Sequence, residues 1–87
     1  MTGRTTAGFW ARFDKLPREV QRVAREKYAL WRRNPFHPSL HFKQIMADLW
    51  SVRVSIQYRA LGRRRGETIV WFWIGPHEEY DRLIGHQ

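Results

Sequence analysis

The chain has 87 residues, one domain at most, and a domain this short buries only about 60 to 65% of the surface its unfolded chain exposes. Five Trp, five Phe and three Tyr supply the bulk for so small a core, while the absence of cysteine excludes disulfides, thiolate catalysis and Cys-type zinc sites together. Thirteen Arg and three Lys against eight acids leave a formal charge of +8, a field that draws in nucleic acid or an acidic protein, or else simply keeps the surface soluble.

The preference for Arg over Lys points towards phosphate, because the planar guanidinium grips oxyanions in a bidentate fork. Residues Met1 to Gly8 are polar and do not read as a signal peptide. No apolar run approaches the ~18 residues of a membrane span. The expected setting is therefore the cytoplasm, without a membrane partner.

The first predicted helix runs from Ala7 to Leu16, capped by Thr5 or Thr6, with Phe9, Phe13 and Leu16 in one stripe and Trp10 beside it. Pro17 suits the first turn of a second helix, Glu19 suits its N-terminal dipole, and Asn34-Pro35 stops it after Arg33. Val20, Val23, Ala24, Tyr28 and Trp31 form its core stripe. Arg18, Arg22, Arg25, Arg32 and Arg33 form the opposite ridge, either a solvated face or a landing surface for a polyanion.

Leu40 to Ile45 reads as a short strand, and Ser51 to Ala60 as one continuous strand of period two. Val52, Val54, Ile56 and Tyr58 point one way; Arg53, Ser55, Gln57 and Arg59 point the other. Leu61 to Glu67 reads as a glycine-flanked loop, and Thr68 to Ile74 as a central strand, apolar on both faces. A turn centred near Arg64 or Arg65 puts Phe72 with Ile56 in the core, and Trp71 and Trp73 with Gln57 and Arg59 on the open face. Pro76 opens a last short helix with Tyr80, Leu83 and Ile84 inward. The whole is α+β: two N-terminal helices packed on an antiparallel sheet of three or four strands, with a short C-terminal helix.

The open face interleaves Arg53 and Arg59 with Trp71 and Trp73, a combination that suits RNA: guanidiniums meet phosphates and rings stack on splayed bases. RNA cleavage through the substrate's own 2′-hydroxyl needs a proton carrier, which His77 supplies by type, and a charge stabiliser, which Arg59 or Arg53 supplies. By itself, a lone histidine beside a proline reads more readily as structural than as catalytic. His37 and His41 lie in a proline-broken loop without an identifiable third ligand, and Asp48, Glu78, Glu79 and Asp81 form no two-metal set. No metal site and no cofactor are expected.

The motifs "NPFHPSL", "SVRV…YRAL" and "WIGPHEEYDRL" resemble the RelE/ParE toxin superfamily of bacterial toxin–antitoxin systems, over a stretch from about Phe9 to Ile84. The resemblance implies a single toxin domain over residues 1–87. It also implies a ribosome-dependent mRNA endoribonuclease that inhibits translation, with a cognate antitoxin as partner. It places a phosphate-stabilising role at Arg59, an active-site role at His77, a stacking or catalytic role at Tyr80 and a basic contact at Lys43. Two departures stand beside it. The region around Pro38 lacks the carboxylate that some members use as a base, and "MTGRTTAG" poorly represents the usual N-terminal strand. The alternative implied by other branches is a non-catalytic toxin that inhibits DNA gyrase, or another target, by binding.

Overall fold

A computed structural model describes residues 1–85. Strand β1 (Thr2–Thr5) ends at Thr6, whose hydroxyl accepts the Phe9 amide at 3.1 Å and so caps helix α1 (Ala7–Phe13). A short turn leads to α2 (Arg18–Arg33), with Pro17 immediately before it and Asn34 after it. A 3-10 turn (Pro38–Leu40) precedes strands β2 (Lys43–Met46), β3 (Leu49–Ser55), β4 (Tyr58–Arg65) and β5 (Thr68–Pro76), and α3 (His77–Ile84) closes the described chain. No helix among the described residues is long and apolar enough to cross a membrane.

The strands form one five-stranded sheet in the order β1-β5-β4-β3-β2. The expected α+β arrangement is present, with more strands than expected and one of them parallel. The polar N-terminus is a strand after all: Thr2 to Thr5 pair in parallel with Thr68 to Trp71. Its side chains contribute little, so it is held by backbone hydrogen bonds to β5 that composition does not reveal. Gly3 has its own reason, since a Cβ there would come within 2.4 Å of the Tyr28 hydroxyl lying over the strand.

Residues 51 to 60 are not one strand. The chain reverses at Ile56-Gln57, leaving Ile56 74% exposed at the tip of the β3–β4 hairpin. Alternation continues through such a turn, so periodicity cannot mark where the chain turns back. The next turn also differs. Residues Leu61 to Arg65 belong to β4, and the reversal falls at Gly66-Glu67, with Gly66 at a positive φ of 61°.

This second turn pairs Gly62 with Trp71, while Leu61 pairs with Trp73. Phe72 is thereby the extra residue of a β-bulge, and the facing of β5 flips there. Trp71 consequently lies on the helix side, where the missing side chain of Gly62 makes room: a Cβ there would meet Trp71 Cε3 at 2.8 Å. Phe72 packs on the other face with Trp73, Leu61 and Tyr80. Of the four residues expected between helices and sheet, Val52 and Val54 are there; Ile56 and Phe72 are not. Leu83, expected inward on α3, is exposed.

Trp31 centres the helix-side core at 1% exposure. Its ring meets Trp71 at 5.3 Å and Phe42 at 5.8 Å edge-on, and stacks on Tyr28 at 5.9 Å. Neither the Trp31 nor the Trp71 indole N–H finds an acceptor, so this cluster is held by buried area and ring geometry rather than by hydrogen bonds. Trp31→Ala is expected to destabilise the fold by about 3 to 5 kcal/mol. Urea denaturation checks this; a midpoint unchanged from wild type contradicts the packing described. The arginine ridge of α2 is partly neutralised, since Arg22 pairs with Glu19 and Glu26. Arg25 instead folds over the Phe13 ring at 5.0 Å.

Candidate functional site

On the sheet face away from α1 and α2, a cleft of about 250 Å³ opens where β3 and β4 meet the start of α3. Strand alternation turns Arg53 and Arg59 into it, because Val52 and Val54 take the helix side. The two arginines are direct cross-strand partners. Like charges so placed repel, and among the described residues no carboxylate forms an ion pair with either. Burial, and then the neighbouring Arg53, hold the Arg59 guanidinium below its ordinary proton affinity, partly offset by Tyr80 and Asp81. Its Nη1 donates to the carbonyls of Ser55 at 2.6 Å, Tyr58 at 3.1 Å and Ile56 at 3.3 Å, which ties it to the hairpin tip. Two opposed guanidiniums, neither in an ion pair with a carboxylate, have the chemistry to bind an anion.

Helix α3 brings the titratable groups. Pro76 ends β5 and sets the helix start, and the His77 amide donates to the Gln57 carbonyl at 2.7 Å. One turn later Asp81 places Oδ2 3.2 Å from His77 Nδ1. Nδ1–H donation to this carboxylate holds the ring orientation and leaves Nε2 for proton transfer. Tyr80, 5% exposed, donates its hydroxyl to buried Ser51 Oγ at 3.3 Å, with its ring 6.0 Å from that of His77. Lys43, opposite Ser51 on β2, and His41 complete the cleft wall. Among the described residues no three His, Cys, Asp or Glu side chains converge as a metal site.

A second hollow of about 350 Å³ lies on the other face. Helix α1 packs over β5 and α2 over β3, so the gap between the helices is floored by Ala60 of β4 and walled by Phe9, Trp10 and Tyr28. It contains cations but no acid–base pair.

A profile of the ParE-like toxin domain matches residues 18–82. The chain belongs to the ParE-like toxin family. Solved structures of similar fold agree. A YoeB/ParE toxin from Agrobacterium tumefaciens superposes with a TM-score of 0.66 at 19% identity, covering 88% of this chain and 99% of its own. A chain of the RelB–RelE antitoxin–toxin complex from Methanococcus jannaschii gives 0.75 at 12%, covering 94% and 99%. The toxin–antitoxin complex RelBE2 from Mycobacterium tuberculosis gives 0.67 at 24%, covering 87% and 96%. A comparison with curated proteins found no match.

In this ParE-like fold, five of the seven residues singled out from sequence converge: Lys43, Arg53, Arg59, His77 and Tyr80 all line the cleft. Trp71 and Trp73 do not. Trp71 is 3% exposed among Trp31 and Phe42, and Trp73 is 5% exposed against Leu61 and Tyr80. Neither offers a ring face to a base; the bulge at Phe72 and the cover of α3 are the reasons. Tyr80 is spent similarly, its hydroxyl bonded to Ser51 and its ring serving as cleft floor. Three polar cleft residues were not among those seven: His41, Ser51 and Asp81. The four-residue spacing of His77 and Asp81 in a helix was a readable signal for one of them.

Proposed function

We propose that this chain is the toxin of a toxin–antitoxin pair and that it cleaves ribosome-bound messenger RNA in the cleft. The observation that carries the reading is the unpaired Arg53–Arg59 couple beside a histidine oriented by a carboxylate. The scissile phosphate takes the place of the missing counter-ion between the guanidiniums. As the 2′-hydroxyl attacks, charge builds on the phosphoryl oxygens, and the two guanidiniums beside it stabilise that charge. His77, held through Nδ1, moves a proton at Nε2. Asp81 positions it, and Tyr80 and Ser51 support it from below. Lys43 adds a cation at the rim for the neighbouring backbone. An acidic antitoxin that folds on binding suits the +8 charge, and the Methanococcus and Mycobacterium structures of the same fold are themselves toxin–antitoxin complexes.

Cell-free translation followed by primer extension on the message tests this, run with and without the product of the adjacent reading frame. Cleavage within the translated message is expected, and its suppression by the partner. Intact messages alongside inhibited gyrase overturn the ribonuclease reading in favour of a binding toxin.

A further inference from the structure

We propose that His41 is the second proton-transfer group of the cleft: the base that takes the 2′-hydroxyl proton, while His77 serves as the acid. The assignment rests on the ribonuclease reading above. Its starting point is the polarity of one contact. Arg53 Nη1 lies 3.2 Å from His41 Nε2. A guanidinium only donates, so in this contact Nε2 is placed as the acceptor, which needs the tautomer protonated at Nδ1. His77 has the opposite partner: Nδ1 faces Asp81 Oδ2 at 3.2 Å, and that bond persists whether or not Nε2 carries a proton. One imidazole is held by a cation in a form that accepts; the other is held by an anion in a geometry that serves both forms. One nitrogen so placed can take a proton and the other can hand one on, which is the division of work proposed here.

The backbone supplies an independent observation. His41 sits in the left-handed region at φ 45°, ψ 42°, a conformation few non-glycine residues adopt. It is pinned from both sides. Leu40 before it is fully buried, the His41 amide bonds the Pro38 carbonyl at 3.3 Å, and β2 begins at Lys43. Strain retained where neighbouring structure over-determines it is a mark of functional positions, and here it turns the imidazole into the cleft beside Arg53. The charged and titratable groups around the two histidines are Lys43 from β2, Arg53 from β3, Arg59 from β4, and Tyr80 and Asp81 from α3.

The step balances without a co-reactant. The phosphate draws the Arg53 guanidinium, freeing the His41 lone pair. The 2′-hydroxyl proton passes to His41 Nε2 as the O2′–P bond forms. The P–O5′ bond breaks as His77 gives its Nε2 proton to the leaving oxygen. A 2′,3′-cyclic phosphate and a 5′-hydroxyl result, and solvent resets both rings.

The test is single-turnover cleavage of ribosome-bound message across pH, with circular dichroism to confirm folding. His41→Gly suits the positive φ and leaves a hole. It is expected to cleave about 10²- to 10⁴-fold more slowly, to lose the limb that rises with pH, and to recover with added imidazole. His41→Asn also tolerates the backbone but fills the hole; it is expected to be equally slow and not rescued. His77→Gln should lose the falling limb and keep the rising one. A wild-type rate in His41→Gly overturns the assignment, as does restored activity in His41→Asn with no imidazole effect on His41→Gly, which marks a structural role. Cleavage absent in the wild-type chain removes the ribonuclease reading and this assignment together.

Discussion

His77→Gln is expected to remain folded and to cleave message about 10²- to 10⁴-fold more slowly than the wild-type chain. The substitution isolates proton transfer. The His77 side chain is 42% exposed, so the change removes little packing. Its backbone amide still reaches the Gln57 carbonyl, so the start of α3 is kept. A glutamine amide can donate towards Asp81 much as the imidazole does, but it cannot exchange a proton near neutral pH. Single-turnover rates and urea midpoints measured on the same preparations separate the two effects. Wild-type cleavage by His77→Gln removes the histidine from the mechanism. An equal loss of rate and of stability places it in the scaffold instead.

Arg59→Ala is expected to lose about 10²- to 10³-fold in cleavage, the scale for deleting one preorganised donor to a developing anion. Its stability effect is a balance. The carbonyls of Ser55, Ile56 and Tyr58 lose a common donor, yet they sit at a hairpin tip that is only part-buried, where water can reach them. Repulsion from the directly opposed Arg53 is relieved at the same time. The urea midpoint should therefore move far less than the rate. Arg53→Ala is the control that assigns the phosphate role. If Arg59→Ala cleaves at the wild-type rate while Arg53→Ala does not, the role belongs to Arg53 and the family correspondence at Arg59 fails.

Helix α2 was legible because everything that defines it is local: Pro17 before it, Asn34-Pro35 after it, and an apolar stripe ending in Trp31. The outward facing of Arg53 was legible from Val52 and Val54 on either side, since alternation over a short span needs only a strand. Parity failed where the chain introduced an odd residue. Nothing in Ile56-Gln57 signals a turn by composition, and nothing in Trp71-Phe72-Trp73 signals which residue bulges; both depend on what the partner strand presents, Gly62 above all. Trp71 was therefore assigned to the wrong face, whereas Trp73 and the arginines kept theirs, with Trp73 covered against Tyr80 of α3. Within the cleft, Arg53, Arg59 and His77 could be gathered from strand facing and motif. His41 reaches it only through a left-handed residue after a 3-10 turn, a tertiary arrangement that no periodicity encodes.

The parallel pairing of β1 with β5 has a consequence for how the protein comes into being. Thr2 finds its partner in Thr68, and Thr5 in Trp71, so the earliest strand of the sheet waits for the latest to be synthesised. Trp71 is also the ring against which Trp31 closes the core, and His77 follows β5 without a linker. Sheet closure, core completion and the placing of His77 thus fall within one late stretch of translation. Contacts this distant in sequence are slow to form and offer little reward until both ends exist. A nascent chain stopped before β5 lacks the core and His77 alike. The cleft therefore takes shape only once β5 and the start of α3 have been made.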